Sequence, residues 1–244
     1  MNLILLHILM VVFFATLIRS AFGFGEALFA VPLLALRIPI PVAAPLAVLI
    51  SITIAAMVVA QDHDKIHFRS ASGLVFATIF GIPVGLLLLT AVNQQIVKLI
   101  LAGIILAFAF YSLFGGAVPE LRGDHRGWLL SCGFAAGVLG GAYGMNGPPL
   151  VVYGALRRWS SQEFRATLQG YFLPASILGM GGYWAVGLWT AAVTHYYLLS
   201  LPVLVPAVVL GRILNRRLHG DAFLKYVYAG LAGTGIVLLI QALR

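Results

Sequence analysis

The chain has 244 residues, 61% hydrophobic and only 9% charged, with a formal net charge of +8. Soluble domains carry about 25% charged residues, so a water-facing globule of this size is excluded; at about 20 apolar residues per crossing, membrane helices consume the length and leave little room for a soluble domain. The positive excess is Arg and Lys scattered between apolar runs, with no basic stripe interleaved with stacking aromatics, which is loop bias and excludes a nucleic-acid surface as partner.

In chain order the hydrophobic pieces are about 2–18, 22–36, 41–60, 72–91, 95–114, 126–142, 147–156, 163–186, 190–211 and 223–243. The first lacks a positive n-region and runs on into further membrane sequence, so it reads as a membrane segment and not as a cleaved signal. Cys132 is the one cysteine, which leaves no intramolecular disulfide and no cysteine metal cluster. Two pieces, 22–36 and 147–156, fall short of a crossing. Each follows a glycine-rich break, Ala21-Phe22-Gly23-Phe24-Gly25 and Gly140-Gly141-Ala142-Tyr143-Gly144-Met145-Asn146-Gly147, and each contains proline, Pro32 or Pro148-Pro149.

The two places correspond. Pro32-Leu33-Leu34 matches Pro149-Leu150-Val151, and Ala35-Leu36-Arg37 matches Ala155-Leu156-Arg157 after a three-residue insertion. Further on, Pro83 pairs with Pro206, and Lys98 and Gly103 with Lys225 and Gly230. The chain therefore reads as two homologous halves, 1–114 and 126–244, joined by the polar linker 115–125.

Charge counting sets the topology. With four simple crossings per half, the loops divide nine Lys/Arg against five and strand Arg19 inside the membrane. If the first two pieces of each half form a broken hairpin or two short crossings, one side collects eleven (Lys65, Arg69, Arg122, Arg126, Arg157, Arg158, Arg165, Arg212, Arg216, Arg217, Lys225) and the other keeps Arg37, Lys98 and Arg244. The second split fits the positive-inside rule far better. It makes each half a Gly/Pro-broken hairpin plus three transmembrane helices, with the halves inverted, both termini outside the cytoplasm, and loops 61–71, 115–125, 157–163 and 212–222 inside. The fold class is an all-α polytopic membrane protein built of inverted repeats, in which interrupted helices at matching positions point to the binding site.

At each break a short helix begins, and a helix start presents free N–H groups and roughly half a positive charge, an anion site. Pro148-Pro149 suits a first helical turn; so does Glu26, although the match of Pro32 with Pro149 leaves open a later start or a kink there. Two starts meeting from opposite sides would attract one small anion. Arg19 falls at membrane depth, where an unpaired Arg costs at least about 2.5–3.5 kcal/mol; its planar fork can grip an oxyanion bidentately, or it snorkels, or it pairs with Glu26. Glu26 is a proton carrier for coupling, a helix-start residue facing away, or the partner of Arg19. Tyr143, Asn146 and Gln169 are the polar groups near the second break, and Gly23, Phe24, Gly25, Gly144 and Gly147 line the two breaks where backbone can approach a ligand. Gly81-x-x-x-Gly85 reads as helix packing. In the run Arg157–Arg165, Ser160 with Glu163 has capping-box spacing, and Trp159 with the arginines reads as an interface anchor.

The stretch Ala21-Phe22-Gly23-Phe24-Gly25-Glu26-Ala27-Leu28-Phe29-Ala30-Val31-Pro32-Leu33-Leu34, together with the Gly140–Pro149 break, resembles the duplicated signature of the TauE/SafE sulfite-exporter family over nearly the whole chain. The resemblance implies a bacterial or archaeal inner-membrane permease for small sulfur-containing anions such as sulfite or sulfonates; the two inverted halves suit alternating access. Where that pattern often continues in glycines, this chain has Glu26 and Ala27.

Other classes fare worse. No HExxH or Gly-x-Ser-x-Gly motif is present, and Asp62, Asp64, Asp124 and Asp221 all read as loop residues, so an intramembrane hydrolase lacks its groups. Gly141-Ala142-Tyr143-Gly144 faintly resembles a potassium filter, but such a filter needs four copies around one axis. No cofactor is expected and no nucleotide-binding motif occurs. The expected partners are a small anionic substrate and the lipid bilayer, with a homodimer left open; another organic anion is the alternative substrate.

Overall fold

The computed structural model describes residues 3–91, 125–143, 146–185, 187–218 and 220–242, together with isolated positions between 99 and 121. The described residues form helices and no strand: α1 (Leu3–Phe22), α2 (Glu26–Ala35), α3 (Ile40–Asp62), a 3-10 turn at His63–Lys65, α4 (Phe68–Ala91), α5 (Arg126–Tyr143), α6 (Gly147–Leu156), α7 (Ser161–Ala185), α8 (Ala191–Arg217) and α9 (Gly220–Ala242). Four of them, 3–22, 41–65, 68–85 and 191–217, are long and apolar enough to cross a membrane. The protein is an all-α membrane protein. Most of the expected piece 95–114 and the linker 115–125 lie outside the described residues.

The two short pieces are half-helices. Ten residues each rise about 15 Å, half of a hydrocarbon core of about 30 Å. The short helix α2 folds back along α1: His7 Nε2 donates to the Leu33 carbonyl at 2.9 Å, and Arg19 pairs with Glu26 beside the turn. The turn itself needs glycine, because Gly23 and Gly25 hold φ of +84° and +98°, a region closed to most L-residues. The half-helix starts at Glu26, six residues ahead of Pro32, so the option of a later start is overturned; α6 starts two residues before Pro149.

The helices group into two compact units, 1–68 with 161–217 and 69–160 with 218–244. Each unit draws on both sequence halves. In the first, α1, α2, α3, α7 and α8 share a core of Ile8, Val12, Leu34, Leu46, Ile50, Ile54, Val58, Val193, Leu204 and Val208. Lipid is as apolar as these side chains, so tight packing and hydrogen bonds hold the helices together. Helix α8 closes on α1 at Gly211, where a Cβ would sit 2.5 Å from Ser20 Cβ, and Ser20 Oγ donates to the Val208 carbonyl at 2.9 Å.

In the second unit α4 crosses α5 in the same manner. A Cβ on Gly137 would collide with the Thr78 carbonyl oxygen, and one on Gly81 with that of Phe134. Thr78 Oγ1 donates to the Gly133 carbonyl at 2.9 Å. Gly81 therefore packs helices, as the Gly81-x-x-x-Gly85 spacing indicated. Cys132, on α5, is buried. Leu121 N donates to the Leu156 carbonyl at 2.9 Å and Arg157 to the Leu121 carbonyl at 3.1 Å, which ties the chain before α5 to the end of α6; α5 and α6 thus form a second hairpin.

Several expected loop residues sit on helices. Asp62 closes α3, Arg212, Arg216 and Arg217 form the last turns of α8, and Asp221 lies in the first turn of α9. Trp159, expected as an interface anchor, is only 4% exposed. The short link from Arg157 to Ser160 turns back on itself, with Trp159 N bonded to the Gly154 carbonyl at 3.3 Å, and lays the indole edge-on against Tyr153, centroids 5.6 Å apart.

Candidate functional site around the first helix break

A helix that stops inside a membrane leaves its last carbonyls without partners, and lipid cannot supply them. At the end of α1 protein groups meet the carbonyls of Arg19, Ser20 and Ala21, and that of Gly23 in the turn beyond. The Arg19 carbonyl accepts from Gly23 N at 2.7 Å, Ser20 O from Arg165 Nε at 2.6 Å, Ala21 O from Asn215 Nδ2 at 2.7 Å and Gly23 O from Gln169 Nε2 at 2.9 Å. Side chains from α7 and α8 therefore make the break possible. Gly23 has a second reason to be glycine: a Cβ there would lie 3.1 Å from the Arg165 Cα.

Arg19 is buried within this frame. Its Nε and Nη2 both donate to Gln169 Oε1, at 3.0 and 2.9 Å. Its Nη1 donates to Ser51 Oγ at 2.6 Å and to Glu26 Oε2. Phe172 lies under the guanidinium, 4.9 Å from ring centroid to Cζ, a cation–π contact that favours the charge. Ser51 is backed in turn by Ser176 at 3.0 Å. The arginine does not snorkel. It is held as a cation whose one anionic partner among the described residues is Glu26.

Glu26 is 3% exposed. One carboxylate oxygen faces Arg19; the other, Oε1, is buried with no hydrogen-bond partner among the described residues. Thr16 Oγ1, one turn before Arg19 on α1, is likewise unpartnered. Native interiors satisfy nearly all such atoms, so these two stand out from the bonded groups around them.

One helical turn from Gln169 on α7, Arg165 belongs to a second ionic group. Arg165, 1% exposed, and Arg212 both donate to the Asp62 carboxylate, while Arg216 approaches it to 3.9 Å. Arg165 also donates to Ser20 Oγ at 3.1 Å, so it joins Asp62 to the end of α1. Nearby, Glu163 and His67 approach to 3.2 Å. In the turn after α3, a hydrogen bond from Lys65 holds the exposed Asp64 carboxyl below the usual carboxylate range.

Of the residues singled out in the sequence, Arg19, Gly23, Glu26 and Gln169 come together here. Phe24 is buried edge-to-face against Phe164, centroids 6.4 Å apart, and Gly25 shapes the turn beside Ile18. The second break belongs to the other compact unit. There Asn146 precedes α6 with φ of −84° and no side-chain cap, Pro148-Pro149 fill its first turn, and a Cβ on Gly147 would meet nothing within 4 Å. Gly144 and the side chain of Tyr143 lie outside the described residues.

Motif and hydropathy reasoning does not single out Ser51, Asp62, Arg165, Phe172 or Asn215 as site residues. One signal is legible: Ser161, Arg165, Gln169, Phe172 and Ser176 recur at three- and four-residue spacing, which sets them on one face of α7. Asp62 is masked by its place at a helix end, where a hydropathy reading stops short.

Comparison with known proteins decides the family. The sulfite exporter TauE/SafE family model matches residues 8–238. The chain belongs to that family. The match takes in both breaks and every described helix at least in part. No curated protein and no solved structure matches the chain. As a TauE/SafE protein it is a membrane transport protein, from a family of exporters of sulfite and related organosulfur anions, whose members are transporters and not enzymes.

Proposed function

We propose that this TauE/SafE protein carries a small sulfur oxyanion, sulfite or a simple sulfonate, across the cell inner membrane by alternating access, with Arg19 as the anion ligand. One observation carries the reading: a buried guanidinium, positioned by Gln169, Ser51 and Phe172, is paired with a carboxylate on the same helical hairpin. A carboxylate and a sulfite or sulfonate offer the guanidinium the same kind of oxygen pair. The substrate takes the place of Glu26 on Arg19. A carboxylate left at this depth without its cation is costly, and Glu26 avoids that cost by taking a proton. Anion and proton then occupy the protein together, which makes a monoanion's passage electroneutral and its direction a matter of the two gradients.

The packing supports inverted halves. The first helix of each half crosses the fourth piece of the other, α1 with α8 and α5 with α4, each through glycine and one hydroxyl-to-carbonyl bond. The α5–α6 hairpin opens beside residues 121 and 157, on the side that the charge bias assigns to the cytoplasm. The turn of the α1–α2 hairpin lies toward Asp62, Arg165 and Asn215, which the same bias assigns to the cytoplasm. Both termini then lie outside the cytoplasm by the same charge bias. The proposal extends to Tyr143, Gly144, Asn146 and Gly147 as the second helix start able to receive an anion. Flux of another small organic anion is the second reading, favoured by the lack of any sulfur-specific group around Arg19 among the described residues.

The test is uptake of labelled sulfite and of a simple sulfonate into proteoliposomes, with and without a pH gradient, for wild type and Arg19→Gln. Saturable uptake that is lost in the variant and accelerated by acid on the side of entry is expected. Equal flux in both proteins removes Arg19 from the site, and unsaturable flux replaces the carrier by a channel.

A further inference from the structure

The group around Asp62 is not electrically balanced. Among the described residues three guanidiniums, Arg165, Arg212 and Arg216, face one carboxylate, an excess of two positive charges. Arg165 is consumed: it is buried and its Nε, Nη1 and Nη2 go to Ser20 and Asp62. Arg212 uses Nη2 on Asp62 and on the Gln61 carbonyl at 3.1 Å, while its Nε is buried with no partner among the described residues. At 3.9 Å from Asp62, Arg216 is beyond hydrogen-bonding distance, and its side chain is 54% exposed. Arginines four residues apart on one helix repel each other, and a single carboxylate already claimed by Arg165 does not offset that. The arrangement holds together best with a second anion between Arg212 and Arg216.

We propose that Arg212 and Arg216, on the last turns of α8, form an oxyanion-binding site at the mouth of the first unit, separate from Arg19 and on the side the charge bias assigns to the cytoplasm. Its ligand class is a small tetrahedral or pyramidal oxyanion, which guanidinium forks bind bidentately. Two sources offer that chemistry: the transported anion waiting at the mouth, or the phosphate of a lipid headgroup. Arg165 touches both Asp62 and Ser20, the neighbour of Arg19, so the two sites share one connecting side chain. The inference builds on the proposed anion carriage but does not depend on it.

Equilibrium binding to the purified, delipidated full-length protein tests it, with labelled sulfite and inorganic phosphate as probes. Wild type is expected to bind sulfite at two sites. Arg212→Gln/Arg216→Gln weakens one of them about tenfold or more, the worth of a charged hydrogen-bond pair, and removes phosphate binding with it. Arg19→Gln removes the other component alone. Arg216→Gln by itself, at a half-exposed side chain, guards against misfolding and should show the same loss in smaller measure. Displacement of the phosphate component by short-chain phosphatidylglycerol identifies a lipid headgroup as the resident; its persistence identifies a free anion; either result supports the site. Binding of both probes unchanged in the double variant overturns it. Loss of only the Arg19-dependent component from wild type overturns the carrier reading and leaves this site in place.

Discussion

The two helix breaks use similar residues to different ends. The first surrounds its Gly-x-Gly turn with ionised and amide side chains: Arg19, Glu26, Gln169, Arg165 and Asn215 meet its freed backbone and each other. The second, Gly140–Pro149, contains no charged residue, and α6 starts there on prolines without a side-chain cap. The glycine break is thus surrounded by charged and amide side chains in one place and is an uncharged helix start in the other. In a membrane, buried charge is too costly to install twice without need, and one cation suffices to hold one anion.

The sharpest test of that contrast is Arg19→Ala. It should abolish anion flux and leave Glu26 buried without a cation, a loss of about 3–5 kcal/mol. Adding Glu26→Gln should restore thermal stability in detergent but not flux; recovered flux would break the assignment of Arg19 as ligand. Gly23→Ala comes next. At φ +84° with the Arg165 backbone 3.1 Å from the new methyl, about 1–3 kcal/mol of stability should be lost, read as a lower melting temperature. A comparable loss, about 1–3 kcal/mol, is expected for Gln169→Leu, which strips the Gly23 carbonyl and Arg19 of partners together. Gly137→Ala probes the α4–α5 crossing, where the added carbon would press on the Thr78 carbonyl, and overpacking of this kind costs about 1–3 kcal/mol. The smallest effect belongs to Gly147→Ala at the second break, within about 0.5 kcal/mol of wild type because nothing lies within 4 Å. Equal destabilisation by Gly23→Ala and Gly147→Ala would erase the difference between the breaks.

The breaks are legible in the sequence because glycine runs beside prolines interrupt an apolar pattern that has no other punctuation. The start of α6 at Gly147 follows from the same signals, whereas Pro32 leaves the start of α2 open in the sequence and the structure fixes it at Glu26. The ionic groups are less accessible. Hydropathy ends a segment at the first charge, yet α3 carries Asp62 inside its last turn and α8 runs on through Arg212 and Arg216. Arg165, near the start of the apolar piece 163–186 and counted among the cytoplasmic-side cations, is 1% exposed. Its burial depends on Asp62, 103 residues away in sequence, and no local pattern links the two.

Composition and spacing alone determined that this is a membrane protein of helices, that two of its apolar pieces fall short of a full crossing, and that Arg19 lies at depth, because the cost of polar atoms in lipid leaves few arrangements for such a chain. Tertiary structure alone decided what answers that cost. It brought Gln169, Ser51 and Phe172 around Arg19, set Arg165 and Asn215 on the open carbonyls of α1, and grouped helices of both sequence halves into each compact unit. Partners this far apart in the chain are chosen by which helix faces pack, and packing is a property of the fold as a whole.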